Sequence, residues 1–306
     1  MKPFFLVALT LSLASLALPS QAIIRRDDVP DSSYITLGAQ AQFNAVGNFG
    51  FCTGTLIAPD WVLCAAHCSP FMTGATFSVP GFGSASVAQV FNAPGWNGTL
   101  ENGSDISLIK LTSAITGVTP ATLYTGSGEL GQTSYSVGFG ALGIGSTGNT
   151  SGGDGTRRAA TNILEQTSSV FPTWTANDYL IADFDSPLLT NTRFTQFGSS
   201  NTPLALEGSI SFGDSGGATF INEGGIWKVV GVHSWLDGLE SINGVAGDGS
   251  DNSSYTDLFG VTRVSSHQTW ITSTLAANSS APEPGTLVFG LLGLLGLRTF
   301  RARRAS

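Results

Sequence analysis

The sequence predicts an all-β protein made of short antiparallel strands. The 306-residue chain contains 39 glycines and 19 phenylalanines, and it has no long run rich in Glu, Lys and Leu that would favour helices. Short apolar runs recur along the chain, and Gly, Pro, Asn or Asp bounds each of them, as expected of strands joined by turns. These runs are YITLGA, FCTGTLIA, WVLCAAH, DISLIKL, TSYSVGFGA, SISFGDS, ATFIN and WKVVGVHSW.

The first 22 residues have the features of a secretory signal peptide. Lys2 precedes the apolar run FFLVALTLSLASLAL, and the small residues Ser20 and Ala22 fit a signal-peptidase site. We therefore expect residues 1–22 to be removed and the mature chain to begin at Ile23. An exported chain can keep disulfides because it leaves the reducing cytosol.

The charge balance excludes one class of partner. The formal net charge is −8 at pH 7, and residues 23–281 contain 8 basic and 20 acidic residues. No basic stripe is available to displace counterions from phosphates. We therefore expect no nucleic-acid binding.

Two polar segments could be mistaken for ligand sites. Residues 138–155 are rich in glycine but lack the Gly-Lys-Ser/Thr ending of a phosphate-binding loop, so a surface loop is predicted. The acidic stretch 248–257 lacks the ligand spacing of an EF-hand. Near the end of the chain, Val264, Ile271 and Leu275 share one side of a predicted terminal helix.

The C-terminal segment resembles the PEP-CTERM sorting signal of Gram-negative bacteria. Pro282 and Pro284 precede an apolar run over residues 286–297, and four arginines follow it. The apolar run is shorter than the ~20 residues that span a bilayer comfortably. The resemblance implies export, transient anchoring in the inner membrane, sorting by an exosortase-type system and a final location at the cell surface or outside. A simple C-terminal transmembrane anchor is the alternative.

The stretch GDSGG makes Ser215 a candidate nucleophile. A serine hydroxyl needs a base at neutral pH, and histidine suits this role because its ordinary pKa is about 6.5. His67 follows a strand-like run in LCAAHC, and Asp105 begins the run DISLIKL, where its carboxylate could orient the histidine. The chain has three histidines, namely His67, His233 and His267.

The segments LCAAHC, DISLIKL and GDSGG, in this order, resemble the trypsin/chymotrypsin family of serine endopeptidases, and VGVHSW and FGVTRV resemble its later strands. The resemblance spans residues 23–277. It implies a polypeptide substrate, His67 as general base and acid, Asp105 as orienting acid and Ser215 as acyl-forming nucleophile. The backbone N–H groups of Gly213 and Ser215 would form the oxyanion hole. No metal or organic cofactor is expected.

The family also implies a fold of two antiparallel six-stranded β-barrels with the catalytic residues between them. On this basis residues 23–125 form the first barrel, which carries His67 and Asp105. Residues 126–277 form the second barrel, with Ser215, and the terminal helix. Residues 278–306 form the sorting tail, and the crossover between barrels lies near residues 119–130.

Three cysteines allow at most one disulfide within the chain. Cys52 and Cys68 match the family's disulfide beside the catalytic histidine. Cys64 stands where the family usually has Ser or Thr. We interpret Cys64 as a small buried apolar residue, and a redox switch is the alternative.

The resemblance also implies a substrate site made of Ser209, Ser234, Trp235, Leu236 and Gly260. Ser234 and Trp235 would line the edge that binds the substrate strand. Ser209 would lie at the base of the primary pocket, Gly260 would leave room there, and Leu236 would narrow the entrance. The nearest acid is Glu207, at an uncertain offset. An uncharged pocket predicts cleavage after Ala, Val, Leu or Met, since an unpaired buried Lys or Arg is costly.

The resemblance also implies that activation depends on a new N-terminus. A buried Asp214 needs a counter-charge, and in the family the ammonium group of a newly exposed aliphatic residue supplies it. Removal of the signal peptide would expose Ile23 for this role. Arg25 and Arg26 stand where relatives usually have two glycines.

Two other functions remain open. GDSGG also satisfies the G-x-S-x-G pattern of α/β-hydrolases, in which an esterase would use Ser215, His267 and either Asp251 or Asp257. That fold requires a helix after the serine, whereas GGATFINEGGIWKVVGV reads as strand, turn, strand. The second alternative is a non-catalytic exported binding or matrix protein on a protease fold.

Overall fold

The computed structural model describes residues 23–188, 193–194, 200–238 and 248–278. A body that ends at His267 is compact by itself, and a C-terminal unit starts at Gln268. The predicted signal peptide, residues 1–22, and residues 279–306 of the predicted sorting tail lie outside the described residues.

The first half of the body contains a closed barrel of six antiparallel strands. Strand β1 (Ile23–Arg25) and helix α1 (Asp31–Gly38) precede it. The barrel strands are β2 (Val46–Asn48), β3 (Thr53–Ala58), β4 (Trp61–Cys64), β5 (Thr76–Val79), β6 (Gly83–Asn92) and β7 (Ser107–Leu111), in the order β2-β3-β4-β7-β6-β5. Because the barrel is closed, it has no free sheet edge. The loops at the rim of the barrel are therefore attached to rigid strands.

The second half contains strands that curl into a half-barrel. They are β8 (Thr122–Leu123), β9 (Thr133–Gly138), β10 (Leu142–Ile144), β11 (Gly148–Ser151), β12 (Arg158–Ile163), β13 (Gln166–Thr167), β14 (Tyr179–Asp183), β15 (Gly208–Ser209), β16 (Ala218–Glu223), β17 (Ile226–Asp237) and β18 (Leu258–Arg263). The main sheet has the order β12-β9-β16-β17-β18-β14-β13, with β8 beside β17. A smaller sheet has the order β11-β10-β1-β15.

The all-β fold class predicted from the sequence is confirmed. The second sheet has eight strands where the sequence predicts six, because β8 and β13 are two residues long and too short to show an alternating pattern. Short 3₁₀ turns lie between these elements at Ala41–Phe43, Ala66–Phe71, Leu100–Asn102, Ser168–Val170 and Val264–His267.

Strand β1 joins the second half, although the sequence assigns residues 23–125 to the first barrel. Ile23 and Ile24 are buried, and β1 pairs parallel with β10 and antiparallel with β15. Tyr34 of α1 lies in the apolar core of the second half and donates a hydrogen bond to the backbone oxygen of Glu207 (2.8 Å). A three-residue strand carries too little pattern to reveal its partner, which only the packing decides.

The C-terminal unit contains helix α2 (Gln268–Ala277), which overlaps the helix that the sequence predicts over residues 263–276. Within the described part of the chain, no helix has the length and apolar character needed to cross a membrane.

Candidate active site

Pairing of β4 with β7 brings His67 and Asp105 together. Cys64, at the end of β4, pairs with Ser107, near the start of β7, so the residues just beyond these strand ends meet at one rim of the barrel. His67 lies in the 3₁₀ turn after β4, and the expected disulfide between Cys52 and Cys68 is present beside it. The closed barrel and the disulfide therefore fix the histidine from two directions.

Asp105 is a buried carboxylate that accepts three hydrogen bonds. Oδ1 accepts from the backbone N–H of His67 (2.8 Å), while Oδ2 lies 2.7 Å from His67 Nδ1 and 2.5 Å from the hydroxyl of Ser234. An ionised carboxylate only accepts hydrogen bonds, so the contact places the imidazole proton on Nδ1. Nε2 of His67 is thereby left as the acceptor that a general base requires.

Ser215 lies in the tight turn that precedes β16. Gly216 has a φ of +82°, and a Cβ at this position would lie 2.3 Å from Cys64 Sγ and 2.5 Å from the backbone oxygen of Thr53. Glycine is therefore required by both conformation and space. Thr53 of β3 donates hydrogen bonds from its N–H to Ser215 O and from its hydroxyl to Gly213 O, each at 2.9 Å. The first barrel thus holds the turn that carries the serine.

The N–H groups of Gly213 and Ser215 are placed to serve an oxyanion. Among the described residues, neither group donates to a protein acceptor. Gly213 has a φ of +89°, a conformation that side-chain-bearing residues rarely adopt. Two unengaged backbone donors on one turn can stabilise a developing negative charge.

His67 and Ser215 line a single cavity of about 510 Å³. In the described part of the chain no hydrogen bond joins their side chains, and in unliganded enzymes such bonds commonly tighten only on substrate binding. Three residues that the family resemblance assigns to the substrate site line the same cavity, namely Ser234, Trp235 and Leu236.

The other two residues assigned to the substrate site, Ser209 and Gly260, do not line this cavity within the described part of the chain. Ser209 is buried, pairs with Ile24 and donates its hydroxyl to the oxygen of Ile210 (3.2 Å). At Gly260 a Cβ would lie 2.0 Å from the Trp235 indole, so the indole occupies the space that the glycine leaves. Edge-to-face packing of Trp235 against the aromatic cluster of Phe171, Trp174 and Tyr179 explains this placement.

Glu207, the acid nearest in sequence to the predicted pocket base, points elsewhere. Its carboxylate accepts hydrogen bonds from the backbone N–H groups of Asp185 and Leu204. Burial raises the pKa of Glu207 to about 7. Glu207 therefore holds together the segments that contain Asp185 and Leu204, and it is not part of the cavity wall.

The structure adds residues that the sequence reasoning missed. Trp96 and Leu100, in the loop that leads to Asp105, line the cavity, and so does the exposed Asp251. A tryptophan within the polar segment APGWNGTLENG was the available signal, since aromatic residues in polar loops often bind ligands. Asp251 Oδ1 accepts the backbone N–H of Gly238 (2.8 Å).

Asp214 is fully buried and is approached by the N-terminal strand. Its carboxylate accepts hydrogen bonds from the backbone N–H groups of Gly140 (2.8 Å), Ser211 (2.9 Å) and Ile23. Burial raises the pKa of Asp214 to about 7, and these hydrogen bonds only partly oppose the effect. Arg25 and Arg26, which replace glycines of the family, bond with nearby backbone oxygens and do not prevent β1 from pairing.

The other two histidines and the free cysteine make contacts that are typical of structural residues. His233 is buried beneath the Ser215 turn, its Nδ1 lies 3.1 Å from Asp214 O, and burial lowers its pKa to about 3. His267 Nε2 lies 2.9 Å from Asp178 Oδ2. Cys64 is buried, and burial raises the pKa of its thiol, which makes it a poor nucleophile.

The fold excludes the α/β-hydrolase alternative. After Ser215 the chain enters β16, which pairs antiparallel with β17, whereas a nucleophile elbow leads into a helix. Within the described residues, Cys52, His67 and Cys68 offer three potential metal ligands close together, but both sulfurs are used in the disulfide.

Comparison with known proteins agrees with this geometry. Among solved structures, the chain is similar to neuropsin, a serine protease expressed in the limbic system of mouse brain, with 21% sequence identity and a TM-score of 0.53. The match covers 78% of this chain and 97% of that chain, and it shows a shared fold. The trypsin family model matches residues 31–249, which is more than half of the chain. The chain therefore belongs to the trypsin family and is a serine-type endopeptidase.

Proposed function

We propose that Ser215, His67 and Asp105 are the catalytic residues of this endopeptidase. One observation carries the proposal: a buried Asp105 holds Nδ1 of His67 at 2.7 Å, in a cavity that His67 shares with Ser215. His67 Nε2 would take the proton of the Ser215 hydroxyl as its oxygen attacks the scissile carbonyl carbon. The N–H groups of Gly213 and Ser215 would receive the resulting oxyanion.

The acyl-enzyme would then form and break by proton transfers through the same histidine. The protonated His67 gives its proton to the leaving amine, and Asp105 stabilises the imidazolium without taking a proton itself. A water molecule next loses a proton to His67 and attacks the ester carbonyl carbon. The bond to the Ser215 oxygen then breaks, that oxygen takes the proton back from His67, and the carboxylic acid product leaves.

A fluorophosphonate probe tests this assignment against a non-catalytic binding protein. We expect the mature, folded protein to carry one phosphonyl adduct on Ser215, detectable by peptide mass spectrometry. Ser215→Ala should lose the adduct and turnover while keeping its thermal unfolding transition. A folded protein without an adduct would favour the binding-protein alternative.

The primary pocket is proposed to accept small or medium apolar side chains. Ile210, Trp235 and Leu236 contribute apolar surface to the cavity, and each added methylene that fits is worth about 0.8 kcal/mol. Asp251 is exposed, so water screens its charge. In a peptide library we expect cleavage after Ala, Val, Leu or Met. Dominant cleavage after Arg or Lys would instead assign the selectivity to Asp251.

We also propose that the enzyme works outside the cytoplasm of a Gram-negative bacterium. The signal-peptide features of residues 1–22 and the PEP-CTERM-like residues 278–306 support export, transient anchoring in the inner membrane and release by an exosortase-type partner. The Cys52–Cys68 disulfide fits an oxidising compartment. Fractionation of cells with and without residues 279–306 tests the anchoring, since deletion should shift the protein from the membrane fraction to the medium.

A further inference from the structure

A second cavity, of about 490 Å³, begins at Gly213, in the turn that carries Ser215. It shares Phe212 with the first cavity and includes Gly213 and Cys52. Cys52 is bonded to Cys68, the neighbour of His67, so this cavity lies beside the candidate catalytic groups. The substrate-binding edge of Ser234 and Trp235 lies in the first cavity only. A polypeptide that crosses Ser215 would therefore enter the second cavity with the residues that follow the scissile bond.

The walls of this second cavity, which we call the aromatic groove, include exposed aromatic side chains that lie close together. Phe51 and Phe212 line it and are 38% and 59% exposed. Phe71, 65% exposed, packs edge-on against Phe51 with ring centroids 5.8 Å apart. Grouped exposed aromatic side chains mark a binding surface, whereas a single exposed one needs no explanation. The position of the groove beside the Ser215 turn, through Phe212 and Gly213, points to a segment of substrate as its occupant.

The floor of the aromatic groove comes from the glycine-rich segment of residues 138–155. Gly140, Gly152 and Gly153 line it and leave space for a large side chain. At Gly153 a Cβ would lie 2.4 Å from the backbone oxygen of Phe139, so the backbone packs too closely there for any larger residue. The segment thus has a role that its composition alone did not reveal.

The aromatic groove offers no counter-charge to a charged ligand. Among the described residues that line it, none is Asp, Glu, Lys, Arg or His. Asp154, which lies between groove glycines, forms an ion pair with Arg158 (3.1 Å) instead. A charged side chain entering the groove would lose hydration without gaining a partner.

We propose that the aromatic groove binds the leaving-group side of the substrate and selects a large apolar residue, aromatic above all, directly after the scissile bond. This inference rests on the proposed function, because it requires an acyl-enzyme on Ser215. Selectivity of this protease would then depend on both sides of the cleaved bond, with a small or medium apolar residue before it and an aromatic one after it.

Acyl transfer to added amines measures this selectivity directly. The mature enzyme is acylated with N-acetyl-leucine methyl ester, and phenylalaninamide, glycinamide or argininamide then competes with water for the acyl-enzyme. We expect phenylalaninamide to be about tenfold more effective than glycinamide, and argininamide to be no better than glycinamide. In Phe51→Ala the preference should fall below about twofold, whereas Phe51→Trp should retain it.

Ile226→Ala is the control, because Ile226 is an exposed apolar residue (56%) that lines neither cavity. It should keep the full preference. Equal efficiency of the three amines, or a preference that survives in Phe51→Ala, would overturn the inference while fluorophosphonate labelling of Ser215 still supports the proposed function. A missing Ser215 adduct would overturn both.

Discussion

Asp105 shows how a single buried residue can organise the chemistry of two others. Its carboxylate binds His67 twice, through the backbone N–H and through Nδ1, and it also accepts the hydroxyl of Ser234 from the other half of the body. Its backbone oxygen accepts the hydroxyl of Thr262 (2.8 Å). The three contacts of the carboxylate satisfy hydrogen-bonding capacity that burial would otherwise leave unmet, and the contact of the backbone oxygen fixes the main chain. Together they hold the carboxylate where it orients the imidazole.

Asp105→Asn should remove most of the activity with little change in shape. The amide can donate a hydrogen bond to Nδ1, which favours the imidazole tautomer that cannot accept the serine proton. We expect kcat to fall by about 10⁴, a magnitude taken from the same substitution in the general Ser-His-Asp mechanism. Steady-state hydrolysis of a peptide amide measures it.

Asp60→Asn is the control for that substitution. Asp60 is partly exposed and forms a surface ion pair with Lys110, so its loss should change kcat by less than about twofold. A decrease of less than tenfold in Asp105→Asn would show that this carboxylate does not orient the base.

At the scale of elements, β1 brings Ile23 to the buried Asp214 in the turn that carries Ser215. Ile23 has a φ of +67°, which is strained for a β-branched residue that follows another residue. A free N-terminus has no preceding carbonyl to clash, and its ammonium group would meet the buried Asp214. Cleavage after Ala22 would thus both relieve the strain and supply the missing charge.

A form that retains Ala22 should consequently be poorly active. Loss of one partner of a buried ion pair costs about 3–5 kcal/mol. Because the pair would hold the turn of Gly213 and Ser215 in place, we expect kcat/KM to fall by at least about 100-fold. The two forms can be compared after mass spectrometry of their N-termini. Full activity of the form with Ala22 would refute activation by signal removal.

The disulfide is the second element that supports the site. Cys52 and Cys68 close a segment with a sequence separation of 16, for which the loss of chain entropy in the unfolded state predicts about 3 kcal/mol of stabilisation. Replacing both cysteines with alanine should reduce the free energy of unfolding by about that amount, as measured by urea denaturation. It should also lower kcat/KM, because His67 lies next to Cys68.

Cys64→Ala separates the disulfide from the free thiol. This variant keeps the disulfide and should remain sensitive to reducing agent, whereas the double alanine variant should not respond to it. A double variant as stable as the parent protein would contradict a structural role of the disulfide.

On the scale of the whole molecule, the second half of the body buries an unusual number of carboxyl groups. Burial raises the pKa of Asp185 to about 8, and those of Glu207 and Asp257 to about 7. Burial, reinforced by the neighbouring Asp183, raises the pKa of Glu165 to about 11. In the unfolded chain all of these groups ionise near pH 4. Between about pH 4 and pH 8 the folded protein therefore binds more protons than the unfolded chain.

Stability should consequently fall as the pH rises from about 4 to 8. We expect calorimetry of the mature Ser215→Ala variant, which avoids self-digestion, to give a melting temperature at pH 8 several degrees below that at pH 5. Asp185→Asn should flatten this dependence, because the amide has no charge to bury. A melting temperature that rises over the same range would show that these carboxyl groups are hydrated.

Local patterns in the sequence predict the short strands and the all-β class, which the structure confirms. They also single out Ser215, because strand alternation and the glycines around that serine are properties of neighbouring residues. The family resemblance adds the two-barrel arrangement, the roles of His67 and Asp105 and the pairing of Cys52 with Cys68. The signal peptide and the sorting tail remain predictions from the sequence.

Tertiary structure alone decided which distant groups meet. The hydroxyl of Ser234 reaches Asp105 across 129 positions of the chain, β1 joins the half of the body that follows it, and the glycine-rich segment becomes the floor of the aromatic groove. Trp235 fills the space beside Gly260, and Asp251 enters the cavity wall. Each of these contacts depends on how sheets curl and pack against one another. That packing is a sum of many weak long-range contacts, and no short stretch of sequence encodes it.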